Sequence, residues 1–208
     1  ERPCSPESRE TVSVRYGRFN YDAHWDHDRL AKPIVEGLWE AMAYVPDHAY
    51  FVANLARLLA RESVAQNPRC LAEADWLSRH ALGLSPRGEP EAWWARAVYL
   101  DRAGNLDEAI LHIGQACKLG PANCYLYLSA GRLLERSGNL TAADAALVRA
   151  AELAALRPSQ RESGYFALER ANFLQRTGRV AEAKPDLMRL QGLVARDPAT
   201  PARLIDLW

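Results

Sequence analysis

Arginine and tyrosine at helical spacing are the residues from which this chain could do chemistry. Steps of three, four and four residues pick out Tyr50, Ala53, Arg57 and Arg61, then Glu91, Trp94, Val98 and Arg102. The same steps give Tyr125, Leu128, Arg132 and Arg136, and finally Tyr165, Leu168, Asn172 and Arg176. Residues so spaced share one face of a helix. Three of the four sets open on tyrosine and all four close on arginine. A guanidinium pairs bidentately with a carboxylate, and Tyr or Trp adds flat stacking area. The chemistry predicted is therefore capture of an anionic, extended ligand. The closing arginines have a second explanation, because a cation in a helix's last turn gains ~0.3–1 kcal/mol from the macrodipole. Arg57 and Arg132 stand a turn earlier, where the dipole fades, and they favour the ligand.

Metal and catalytic chemistry have weaker support. His24, His27 and Asp28 would share a helix face, yet no third and fourth ligand stands nearby, so no metal is expected. His80 and His112 read as ordinary helix histidines. No glycine-rich phosphate loop, Gly-x-Ser-x-Gly elbow or His-Glu-x-x-His pair occurs, so neither an enzyme nor a cofactor is expected. The four cysteines, Cys4, Cys70, Cys117 and Cys124, contain no Cys-x-x-Cys pair. Cys117 and Cys124 flank a short turn, where a disulfide is open to them, as is the role of small buried residues in a reducing compartment. A bridge would go with export.

The elements that must position these residues come from a repeat. Leu100-Asp-Arg-Ala-Gly104 recurs as Leu134-Glu-Arg-Ser-Gly138 and as Leu174-Gln-Arg-Thr-Gly178, each followed by an alanine-rich stretch. A period of this size means stacked helical units, none able to bury its apolar face alone. Gly104, Gly138 and Gly178 stand where each first helix must stop, in a left-handed conformation. The periodicity predicts helices over 33–45, 47–61, 71–84, 89–103, 105–119, 123–137, 139–156, 163–177 and 179–195. Residues 11–16 alternate and predict a short extended segment.

At 208 residues, 49% hydrophobic and 25% charged, the chain can bury a sizeable core. Its formal net charge is zero, which disfavours nucleic acid as a partner. No apolar run approaches the ~20 residues that span a bilayer. The chain opens on Glu1 without methionine, so an upstream leader or anchor is an expectation. The lysines number three, Lys32, Lys118 and Lys184, against many arginines, the bias of a GC-rich bacterial genome.

The repeat resembles the tetratricopeptide repeat (TPR) family. The clearest copy carries Trp93, Ala97, Leu100, Gly104, Ala109, Ile113, Ala116 and Pro121 at that family's positions. The next keeps Tyr127, Gly131, Leu134, Gly138, Ala143, Leu147 and Ala150, with its proline displaced to Pro158. In the third, Ala167 replaces the aromatic beside Ala171, Leu174, Gly178, Ala183 and Leu187. Val52, Ala56, Ala74, Ala81 and Pro86 fit a degenerate unit with an insertion. The resemblance implies an all-α, right-handed α-solenoid of about four TPR-like helix pairs, with an extra N-terminal helix and the short extended segment. It spans 33–197, between an N-terminal extension (1–32) and a C-terminal tail or capping helix (198–208). Large and small residues alternate along the seam from Trp93 through Ala97 to Leu100, and these are expected to be core. In this family the first helix of each pair lines a concave groove, so the tyrosines, arginines, Trp94 and Asn172 are the expected contacts. The partner expected is a protein or peptide with an acidic or C-terminal segment, or an anionic glycan. By family analogy the setting is an exported bacterial envelope assembly, with a cytosolic adaptor as its competitor.

Overall fold

A computed structural model of the chain describes residues 37–38, 40–60, 68–156 and 160–196. Among them every regular element is a helix. A helical turn at 40–44 precedes α1 (Ala49–Leu59), α2 (Pro68–Leu84), α3 (Pro90–Arg102) and α4 (Leu106–Leu119). Then follow α5 (Cys124–Arg136), α6 (Leu140–Ala155), α7 (Gln160–Arg176) and α8 (Val180–Arg196). The expected extended segment at 11–16, the His24–Asp28 cluster, Cys4, Arg61 and the 198–208 tail lie outside the described residues.

Contacts divide the chain into two compact units, Glu1–Leu119 and Gly120–Trp208. In the first, α1 packs on α2 and α3, α2 also packs on α3, and α3 pairs with α4. In the second, α5 pairs with α6, α6 packs on α7, and α7 pairs with α8. Each unit closes its own core. Leu38, Val52, Leu55, Ala56, Ala74, Leu77 and Ala92 are buried together in the first, and Leu128, Leu147, Ala150, Phe166, Phe173 and Leu174 in the second. Leu38 carries the preceding helical segment onto the first core, as the periodicity from residue 33 predicts.

The turns form as the glycines foretell. Gly104, Gly138 and Gly178 take φ values of +85°, +82° and +76°, the only positive-φ residues among those described. In each turn the next amide reaches back five residues: Asn105 N–H to the Leu100 carbonyl at 2.8 Å, Asn139 to Leu134 at 3.0 Å, and Arg179 to Leu174 at 2.8 Å. That bond satisfies a carbonyl the helix end leaves open. At the start of α5 and α6 the side chains of Asn123 and Asn139 accept from the amides of Tyr125 and Ala142, capping free N–H groups.

Four local expectations are corrected. Helix α2 begins at Pro68, before residue 71, since proline lacks a donor the first turn does not need and its φ is already helical. Helix α7 begins at Gln160, before residue 163, whereas α8 runs through Pro185 as the expected span 179–195 does. Trp93 is only half-buried: its ring lies 5.4 Å from His112 of α4, and its Nε1–H donates to the Pro86 carbonyl at 3.2 Å. No disulfide joins Cys117 to Cys124. Cys124 is fully buried within the core of the second unit, and burial pushes the Cys117 thiol up to about 11.

Candidate ligand-binding stripe on the first helices

In the first unit the stripe lies on α1 and α3. Tyr50 is half-buried, edge-on to Phe51 at 5.9 Å, and Ala53 is core. One turn on, Arg57 is 8% exposed. A buried guanidinium needs partners, and two are visible. Its Nη2 donates to Asn54 Oδ1 at 2.6 Å, while Asn54 Nδ2 donates to the Tyr50 carbonyl at 2.8 Å. Its Cζ stands 3.8 Å from the centroid of the Trp94 ring, a cation–π contact that ties α1 to α3. The Trp94 indole Nε1–H is itself buried and has no acceptor. Beside it, burial holds the Glu91 carboxyl above the usual carboxylate range, Glu89 adding to the rise and Arg57 opposing it. Arg102 is exposed at the end of α3, and Arg61 lies outside the described residues.

In the second unit the stripe lies on α5 and α7, and two of its arginines, Arg132 and Arg176, already hold carboxylates. Arg132 Nη2 is 2.8 Å from Glu169 Oε2 and donates to the Tyr165 hydroxyl at 2.9 Å. Arg176 grips Glu135 through both oxygens, Nε to Oε1 at 2.8 Å and Nη2 to Oε2 at 2.9 Å. Each helix thus gives one acid and receives one. Tyr125 and Tyr165 are half-buried and meet Phe166 edge-on at 5.1 and 5.5 Å. Phe166 is wholly buried, so the residue before Ala167 supplies the aromatic bulk the third copy lacks at its expected place. Leu128 is core, Asn172 is half-buried and Arg136 is exposed.

Tyr165 and Arg132 therefore come together, as do Arg57 and Trp94. Asn54, Glu135 and Glu169 complete these groups and were not foreseen. A signal existed for the acids: Leu134 and Leu174 are equivalent and lie forty residues apart, and the two ion pairs span 37 and 41. Among the described residues no group of three or more His, Cys, Asp or Glu side chains is placed to hold a metal, and no helix is long and apolar enough to cross a membrane.

No family model matches the sequence, and no curated protein matches it. Solved structures do match in shape. MamA residues 41 to the end, from Desulfovibrio magneticus RS-1, superimposes with a TM-score of 0.57 at 12% identity, over 89% of this chain and 97% of that one. The TPR-like repeats of a Podosopora anserina putative kinesin light chain give 0.57 at 17% identity, over 89% and 97%. Another MamA crystal structure gives 0.56 at 11%, over 85% and 95%. Identities this low speak for the fold. With the repeated glycine turns and the paired helices of both units, they identify the architecture of this chain as that of tetratricopeptide-like repeats.

Proposed function

We propose that this chain is a non-catalytic interaction scaffold that takes an extended, acidic segment of a protein partner on its first-helix stripe. One observation carries the reading. Two groups that weigh against stability collect beside the buried and partnered Arg57 in the first unit: the half-buried Glu91 carboxyl and the Trp94 N–H without an acceptor. A buried donor left unpaired costs about 1–3 kcal/mol, and proteins keep such local conflicts mainly at functional sites. An oxygen of a bound segment would be the acceptor that the Trp94 N–H lacks. In the second unit an acidic ligand exchanges with Glu135 and Glu169 for their arginines. The half-exposed guanidinium groups of Arg132 and Arg176 are the accessible side of these pairs, and the displaced glutamates, 18% and 20% exposed, set the cost of the exchange. An anionic glycan is the other ligand class that arginine and aromatics suit, but the Arg57 guanidinium covers one face of Trp94, where a sugar ring would stack.

The test is anisotropy of a labelled Asp/Glu-rich peptide with the full chain, beside a charge-neutral peptide of equal length. Binding is expected to weaken about ten-fold in Arg57→Gln, the equivalent of ~1.4 kcal/mol. It is expected to tighten in Glu169→Gln, which frees Arg132. Equal binding of both peptides, or an acidic-peptide affinity unmoved by Arg57→Gln in a variant folded by circular dichroism, would remove the stripe from the function.

A further inference from the structure

Among the described residues, cross-helix ion pairs of low exposure also lie off the stripe, in the seams where one helix pair meets the next. Arg96 of α3 reaches Asp75 of α2, Nη1 to Oδ1 at 2.5 Å, with side chains 14% and 26% exposed. The same Nη1 approaches the hydroxyl of the fully buried Ser78 at 3.3 Å. In the second unit Arg170 of α7 lies between Asp144 of α6, 3.4 Å from Nε, and Asp186 of α8, 2.6 Å from Nη1. Arg179 closes on the other Asp144 oxygen at 2.7 Å.

The two sites occupy one register. Asp75 and Asp144 each follow the small residue of a second helix, Ala74 and Ala143. Arg96 and Arg170 each precede the small residue of the next first helix, Ala97 and Ala171. Elsewhere the same register holds other residues: Ile110 after Ala109, Lys184 after Ala183, and Ala130 before Gly131. The acid-and-arginine match thus occurs at the α2/α3 and α6/α7 seams, each inside one unit, and the register positions on α4 and α5 carry no charge.

We propose that these pairs form a stacking code that selects the second helix on which each first helix seats. The apolar seams cannot make that choice, because every copy offers much the same run of alanine and leucine. Repeat proteins misassemble and swap elements for that reason. An arginine seated on α4 would face Ile110 and lose its partner, and one seated on α8 would face Lys184. A charge buried without its partner is strongly disfavoured even where the matched pair adds little net stability. Discrimination between neighbours, rather than strength, is what the pairs contribute.

The experiment uses the full chain in an Arg79→Gln background, so that a reversed cation at position 75 does not meet the Arg79 that also bonds Asp75. Native-state hydrogen exchange is read helix by helix, and sedimentation reads association. Asp75→Arg alone is expected to speed exchange in α2 and α3 about ten-fold or more while α5 to α8 keep their rates. Adding Arg96→Asp is expected to restore α2 and α3. The apolar pair Asp75→Leu with Arg96→Met is expected to keep protection within the seam yet to form swapped dimers as concentration rises. A matched reversal that restores nothing overturns the proposal. So does an apolar pair that stays as monomeric as the background protein, for then the charges select nothing.

Discussion

At the scale of single residues, Arg57 carries the most information. The expected helix over 47–61 put it before the last turn, but α1 ends at Leu59 and Arg57 lies in that last turn. What sets it apart is that it is buried, stacked on Trp94 and bonded to Asn54. Two carboxylates of the first unit, Glu91 on the stripe and Asp75 off it, titrate in opposite senses. Burial holds Glu91 above its unfolded value, so its ionisation opposes folding, and stability falls as pH rises through that window. Glu91→Gln is therefore expected to raise the melting temperature at pH near 7 by a few degrees, of the order a ~1 kcal/mol gain gives, and to remove that fall. Thermal melts at about pH 4 and 7 check it, and a lower Tm at both would sink it. Burial also works to raise Asp75, but the hydrogen bonds from Arg96 and Arg79 prevail and hold it below the ordinary range. Its contribution is present above the unfolded value and is lost as pH falls through the folded one. Asp75→Asn should flatten the acid limb of the stability curve. The arginines were legible as types and positions. Their acids were legible only through the forty-residue offset between repeat copies, since helical spacing orders residues within a helix while these pairs run between helices.

At the scale of elements, turns and close approaches set the testable quantities. Gly138 holds a φ of +82°, so Gly138→Ala forces a side chain into a left-handed conformation and should cost about 1–2 kcal/mol in urea unfolding. Gly114, inside α4 with open space where a Cβ would go, should behave oppositely, Gly114→Ala adding up to ~1 kcal/mol of helix propensity. Gly131 of α5 is a third case. A Cβ there would stand 2.7 Å from Leu147 Cγ of α6, so Gly131→Ala overpacks the hairpin and should cost about 1–3 kcal/mol. Equal effects of the three alanines would contradict the assignment of three different roles. Helix existence and the glycine stops were plain in the sequence because both follow from local periodicity and φ preference. The starts of α2 and α7 depend on packing that local signals do not contain.

At the scale of the whole molecule, two compact units share one repeat grammar. All the buried residues clustered in the second core, from Cys124 to Ala183, lie inside Gly120–Trp208. So do the ion pairs of Arg132, Arg170, Arg176 and Arg179. A fragment of residues 120–208 is accordingly expected to unfold cooperatively by itself, as a sigmoidal circular-dichroism melt. A gradual loss of helix signal would show that its core needs the first unit.

What the sequence determined by itself was the repeat, the helix pairs, the left-handed glycines and the small-to-large seam. Each follows from residue type and spacing along a few turns of one chain segment. Only the tertiary structure decided which charges are satisfied. It buried Arg57 against Trp94, left the Trp94 N–H without an acceptor, gave Arg132 and Arg176 their own glutamates, and kept Cys117 and Cys124 unbridged. Electrostatic partnership and desolvation depend on distances between residues tens of positions apart, and only the packed fold sets those distances.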